Sequence, residues 1–313
     1  MKKPLVILTG PTAVGKTALS IELAKKINAS IISADSMQVY KEMNIGTDKI
    51  KPENMGGIKH YLVDEYEPEF NFSVSVFKDR ANECIEEIYS EGKIPLIVGG
   101  TGFYIQAVLK NVDFTETNES LEYRAYLQKL EDNEKGCLHN MLKKIDEEAA
   151  VSIHPNNVKR IIRALEYNHF TGQLISEHNK REKDRESPYN YAYFCLNDER
   201  HLLYERIEKR IDEMIEEGLV EEVKALKNRG LNKEFTSMKG LGYKEILDYL
   251  DGETTLEEAF ILLKKSTRHF AKRQLTWFNH EKDVIMVNKN EYNYDNNKIL
   301  EYITGILKEK NII

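Results

Sequence analysis

Two hydrophobic rhythms alternate along the early part of the chain. Residues 3–9 carry a continuous apolar run, the pattern of a buried strand, and residues 16–27 place Leu19, Ile21, Leu23, Ala24 and Ile27 at helical spacing. A second strand is predicted over 29–34, ending on Asp35, then a helix over 77–91 and a buried strand from Lys93 into Gly99-Gly100. Strand–helix–strand alternation of this kind predicts an α/β fold with a parallel sheet flanked by helices. Ligands of such sheets sit at the carboxyl ends of the strands, where Asp35 and the turn Gly99-Gly100-Thr101-Gly102 fall. Past about Asn111 the rhythm changes. Residues 113–187 read as helical and highly charged, with helices over 121–130 and between Asn157 and Thr171 and a polar linker at 178–186. A returning strand is predicted at 191–196, and most of the remainder as helix: 202–217, 220–228, 243–250, 255–278 and 298–308. The simplest organisation is a core of residues 1–112 and 188–313 interrupted by an all-helical insertion domain, 113–187.

Composition narrows the class. At 313 residues, 41% hydrophobic and 31% charged, the chain reads as an ordinary soluble protein large enough for a full α/β core. No apolar run approaches the ~18–20 residues that span a bilayer, and the basic start reads as a first strand in place of a signal peptide. Cys84, Cys137 and Cys195 lie far apart with no C-x-x-C pair, which gives neither a zinc site of usual spacing nor a disulfide framework. A cytoplasmic location follows as the expectation. The net charge of −7 argues against a protein coated in nucleic acid, yet local basic patches decide phosphate contact.

The strongest chemical signal is residues 10–17, Gly10, Pro11, Thr12, Ala13, Val14, Gly15, Lys16 and Thr17, which match G-x-x-x-x-G-K-S/T between a strand and a helix. Glycines let backbone N–H groups converge on phosphate oxygens, and the helix presents the positive end of its dipole. Lys16 supplies a point charge, and the Thr17 hydroxyl is placed to ligand Mg2+. The loop binds a nucleotide or another polyphosphate ester. The strand ending at Gly99 lacks the acidic residue that often organises Mg2+ in nucleotide hydrolases, which leans away from ATP hydrolysis.

Asp35, Ser36, Met37 and Gln38 cluster chemistry after the second strand. Asp35 could hold metal, position a nucleophile, act as a base or cap a turn. Gln38 suits a nucleobase edge, since an amide pairs with adenine's donor and acceptor together, or lies on the surface. Thr101 and its glycine turn could meet an anion or a sugar–phosphate backbone, or form a plain sheet-to-helix connection.

Taken together these pieces resemble the bacterial-type tRNA dimethylallyltransferases, also called tRNA isopentenyltransferases. The matching blocks are GPTAVGKT (10–17), SADSMQVY (33–40), HYLVD (60–64), VGGTGFY (98–104), IHPNNVKRIIRALE (153–166), the stretch 206–218, GLGYKE (240–245) and TRHFAKRQLTWF (267–278). The resemblance implies a P-loop NTPase-like core and transfer of a dimethylallyl group from dimethylallyl diphosphate to N6 of the adenosine 3′ to the anticodon. Asp35 would be the general base, and Lys16, Thr17, Mg2+ and an arginine would stabilise the leaving diphosphate. Arg206 or Arg210, four apart beside the stripe Leu203–Ile207–Ile211–Met214, would supply that arginine. By the same resemblance Thr12 to Thr17 contact the donor, while Asp35 to Gln38, Thr101 and Arg124 contact tRNA. Lys159, Arg160 and Arg163 would grip the anticodon stem-loop, with Arg268, Lys272, Arg273 and Gln274 forming a second patch. A monomer is expected.

Three departures stand out. Phe103 occupies a usual Leu position, Lys59 a common His position, and no Cys/His segment follows the core. The competing readings are a small-molecule P-loop kinase using ATP and a nucleotide-binding regulatory module. The kinase must treat DSMQ and AKRQLTW as accidents, and the module leaves an acid and two glycine turns at one sheet edge without a purpose.

Overall fold

The computed structural model describes residues 2–114 and 120–313. Two compact units emerge. One runs from the amino terminus to Leu109 and resumes from Pro188 to Ile313, and the other spans Lys110–Ser187.

The larger unit opens with β1 (Lys3–Thr9), α1 (Lys16–Ile27), β2 (Ala29–Ser33), β3 (His60–Tyr61), α2 (Val74–Ser90), β4 (Ile94–Gly99) and α3 (Gly102–Leu109). The smaller unit is helical among its described residues: α4 (Leu121–Asn133), α5 (Cys137–Ile145), α6 (Glu147–Ser152), α7 (Val158–Thr171) and α8 (Ile175–Asp184). The larger unit then resumes with β5 (Tyr189–Asn197), α9 (Arg200–Glu216), α10 (Leu219–Asn228), α11 (Tyr243–Leu250), α12 (Leu256–His280), β6 (Val284–Asn288) and α13 (Asn296–Glu309).

The six strands form one parallel sheet in the order β3-β2-β4-β1-β5-β6, flanked by helices as the alternation predicts. Its central strand, β1, is fully buried from Leu5 to Leu8, which explains why it reads as an unbroken apolar run. The register aligns the carboxyl ends. Thr9 lies opposite Gly99 and Cys195, Ser33 opposite Val98, and Asn197 opposite Asn288. The chain following each of these strands therefore emerges at one edge of the sheet.

Helix α12 shapes that edge. It starts at a capping box in which the Thr255 hydroxyl accepts from Glu258 N–H and the Glu258 carboxylate accepts from Thr255 N–H. Its buried face runs Ala259, Leu263, Thr267, Ala271, Gln274 and Phe278, at steps of three or four. A polar Gln274 inside that stripe needs internal partners.

The smaller unit has its own apolar centre of Leu127, Leu138, Leu142, Ile161 and Leu165 with small residues between. One sequence expectation is corrected and one strand is added. The polar stretch 178–186 is mostly helix α8, which lacks an apolar stripe; its first turn is held by Ser176 N–H donating to Asp146, and the His178 ring lies 5.0 Å from that of Tyr167. The stretch between the predicted helices 255–278 and 298–308, to which the sequence pattern assigns no element, contains β6, whose five residues are mostly half-buried at the edge of the sheet.

Candidate active site at the carboxyl edge of the sheet

The loop after β1 is wound tightly. Gly10 has φ +145°, and a Cβ there would stand 2.5 Å from the Leu196 carbonyl oxygen on β5. Gly15, at φ +95°, caps α1 without any side-chain acceptor, so the first N–H groups of the helix stay open toward the loop. This is the geometry of a phosphate cradle.

Four cationic side chains converge on it. Lys16 Nζ donates to the carbonyls of Gly10 (3.0 Å) and Pro11 (2.8 Å). Burial, and then the neighbouring Arg210 guanidinium, push its pKa down to about 8, with the Asp35 carboxylate pulling the other way. Arg206 Nε donates to the Ala13 carbonyl at 3.0 Å, and its Nη2 pairs with the fully buried Asp198 carboxylate. Arg210 donates to the Thr12 hydroxyl and, at 2.8 Å, to Asp48, while its buried Nε has no hydrogen-bond partner among the described residues. The two arginines thus hold adjacent residues of the loop, Ala13 and Thr12. Lys289, which the sequence reading missed, donates from Nζ to the Val14 carbonyl at 3.3 Å. It follows β6, the strand that reading also missed, and a correct strand assignment there would have flagged it.

Asp35 lies half-buried just past β2. Its Oδ1 accepts from the N–H groups of Met37 (2.8 Å) and Gln38 (3.2 Å), so it does cap a turn. That capping fixes the carboxylate plane and leaves Oδ2 without a hydrogen bond among the described residues. The Gln38 amide donates to the carbonyls of Thr47 (3.1 Å) and Asp48 (3.3 Å), tying the loop after Asp35 to the partner of Arg210. Ser36 and Met37 are half-buried on the same turn, and Met37 packs on Gly240. Asp48 therefore couples the two halves of the site, a role with no local sequence signal.

The second glycine turn is built for packing. A Cβ on Gly99 would stand 2.3 Å from the Ala34 carbonyl, one on Gly100 2.1 Å from Gln274 Nε2, and one on Gly102 2.2 Å from the Trp277 ring. Gln274, expected on the RNA contact surface, is instead buried between the two turns. Its Oε1 accepts from Thr12 N–H at 2.9 Å and its Nε2 donates to the Gly100 carbonyl at 3.0 Å. Both ends of the amide are engaged, so it braces the phosphate loop against the second turn. Thr101 sits half-buried beside them, its N–H held by the Ala34 carbonyl at 3.2 Å.

With this geometry in place, comparison with known proteins is decisive. The model of a family described as IPP transferase matches residues 38–281. The chain belongs to that family. A tRNA dimethylallyltransferase of Lachnoclostridium phytofermentans is 60% identical over 312 residues, 99% of each chain. Among solved structures, a full-length tRNA isopentenylpyrophosphate transferase of Bacillus halodurans is 43% identical with a TM-score of 0.75, over 99% of this chain and 98% of that one. A eukaryotic dimethylallyltransferase acting on tRNA is 31% identical with a TM-score of 0.79, over 91% of this chain and 74% of its own. Family membership makes the chain a prenyltransferase-type enzyme and disfavours the kinase. The phosphate loop and Lys289 lie outside the segment that the family model matches, but inside the full-length relatives' coverage.

The smaller unit holds Arg124, Lys159, Arg160 and Arg163. Arg124 grips the fully buried Glu166 carboxylate with Nε and Nη2, both at 2.8 Å, and Arg163 reaches the same carboxylate at 3.3 Å. Both guanidiniums are partly neutralised in place, so one member of the expected cluster of Lys159, Arg160 and Arg163 is already paired. Lys159 and Arg160 are exposed. Of the second patch, Arg268 pairs with Glu208, while Lys272 and Arg273 are exposed. Among the described residues no group of three or more His, Cys, Asp or Glu is arranged to hold a metal, and no helix is long and apolar enough to cross a membrane.

Proposed function

We propose that the chain transfers a dimethylallyl group from dimethylallyl diphosphate to N6 of the adenosine 3′ to the anticodon of tRNA, releasing diphosphate. The observation that carries this reading is the convergence, at one sheet edge, of a cationic phosphate loop and the Asp35 carboxylate. A nucleotide hydrolase needs the first. A base facing the same loop suits an acceptor whose proton must leave as its bond forms.

In the reaction the C–O bond from the allylic carbon to the diphosphate breaks and a C–N6 bond forms. Asp35 Oδ2 takes the N6 proton, while Oδ1 stays on the Met37 and Gln38 amides and keeps the plane of the carboxylate fixed. Negative charge growing on the leaving diphosphate meets Lys16, the loop N–H groups and Arg210. Arg210 is the better candidate for direct contact, since its buried Nε lacks a partner among the described residues. Arg206 acts from behind the loop, held by Asp198. Thr17 is exposed at the first turn of α1, and its hydroxyl is a hard oxygen donor of the kind Mg2+ takes. Thr17 would hold Mg2+, which when bound would supply positive charge against the leaving group.

For RNA, the smaller unit offers exposed Lys159 and Arg160 and a surface row of rings. Tyr123 stacks on His169 at 4.1 Å and 13°, with Tyr126 and Phe170 at its ends, 55% and 41% exposed. Cations for phosphates beside rings for unpaired bases fit an anticodon loop. Thr101 and Ser36 would face the acceptor nucleotide at the core. The test supplies labelled dimethylallyl diphosphate and unmodified tRNA with Mg2+ and no ATP. Label in the adenosine 3′ to the anticodon supports the proposal; no label, with ATP-dependent phosphorylation of a small molecule, refutes it.

A further inference from the structure

Lys289 opens the 3-10 turn that follows β6, the last strand of the sheet. Its starting point is fixed by the sheet: Asn288 lies in register with Asn197, and their side chains join at 3.0 Å. From there the half-buried side chain crosses to the phosphate loop. Nζ donates to the Val14 carbonyl at 3.3 Å, and a Cβ built on Gly15 would meet it at 3.4 Å. The other two N–H donors of this ammonium have no partner among the described residues.

The neighbouring carbonyl, that of Ala13, is held by Arg206 at 3.0 Å. Two consecutive carbonyls of the loop are thus drawn outward by two cations. In a trans peptide the C=O of one residue and the N–H of the next point in opposite directions. Holding the Ala13 and Val14 carbonyls therefore aims the N–H groups of Val14 and Gly15 into the cradle.

We propose that Lys289 is a positioning residue of the donor site, orienting the Gly15 N–H toward the diphosphate and adding a positive charge behind the loop. The inference rests on the donor-site reading above. Burial and the adjacent Arg206 push the Lys289 pKa down, with Asp198 opposing them, so its charge lacks full compensation in the loop itself. A bound polyanion supplies that compensation.

The test uses the full chain with Mg2+ and inorganic diphosphate as the probe, read by calorimetry at several salt concentrations. Lys289→Met should weaken diphosphate about tenfold and flatten the salt dependence of binding. It should raise the KM for dimethylallyl diphosphate by a similar factor and leave kcat within about threefold, the pattern of a uniformly lost binding interaction. Lys289→Arg, which keeps both the donor and the charge, should restore affinity and salt slope. Unchanged diphosphate affinity in Lys289→Met overturns the inference. So does weaker binding with an unchanged salt slope that Lys289→Arg fails to rescue, since a purely structural role predicts that result. A wild-type chain that does not bind diphosphate overturns the donor-site reading itself, and this inference with it.

Discussion

Replacing Gln274 with leucine keeps much of the side-chain volume of α12 at that point but removes both ends of the amide bridge. Thr12 N–H then loses its acceptor and the Gly100 carbonyl loses its donor, in a place that is 7% exposed. Each orphaned buried group costs roughly 1–3 kcal/mol, so the two together cost about 2–6 kcal/mol. For a unit of this size that is a fall in Tm of about 4–24 °C. The loop loses a tether as well, so donor KM should rise while tRNA affinity, measured by filter binding without donor, should hold. Gln274→Glu is the control, because it keeps an acceptor for Thr12 while setting a carboxylate against the Gly100 carbonyl. Its donor KM should lie closer to wild type than that of the leucine variant. A Gln274→Leu protein that melts within about 1 °C of wild type yet binds tRNA weakly would refute the bracing argument and return Gln274 to the RNA surface.

Asp35→Asn keeps the turn-capping oxygen but removes the proton acceptor, so kcat should fall by ~10²–10⁴ with little change in donor affinity; equal loss in both would count against a base role. Lys16, with a pKa of about 8, is charged below that pH and must take up a proton to meet a diphosphate above it. Donor affinity should be flat below about pH 8 and fall up to about tenfold per unit above it, measured with the non-reacting diphosphate. Fold stability contributed by the same group moves the other way, rising between about 8 and 10.5, where the unfolded chain binds more protons, so melting cannot mimic the affinity loss. Changing both Lys159 and Arg160 to glutamine should reduce the log–log salt slope of tRNA binding by roughly 2; an unchanged slope would remove α7 from the RNA contacts.

How far the sequence carried depended on whether a residue's partner is local. The cradle was legible because its glycines, its lysine and its helix follow one another directly, and the alternation around them dictates a parallel sheet. Arg206 and Arg210 were legible as a pair but not individually, since what separates them is Asp198 behind one and Asp48 beside the other. The pairing of Arg124 with Glu166 spans 42 positions and leaves no local trace. Helix α8 was hidden by its polarity, and β6 by its brevity and half-buried face. Missing β6 cost more than one strand, because Lys289 is unremarkable until the strand before it is known.

The two glycine turns show why residue type alone cannot assign a role. Gly10 and Gly15 adopt φ values of +145° and +95°, and Gly15 stands where the proposed donor diphosphate would be gripped. Gly99, Gly100 and Gly102 have no such torsions; their missing side chains admit the Ala34 backbone, Gln274 and Trp277. One set of glycines opens the backbone to a ligand, the other lets a helix press against the sheet edge. The two are joined by the Gln274 amide, from Thr12 to Gly100. Substituting alanine at Gly100 should therefore disturb donor binding through α12 and Thr12, although Gly100 itself touches no donor in the proposed site.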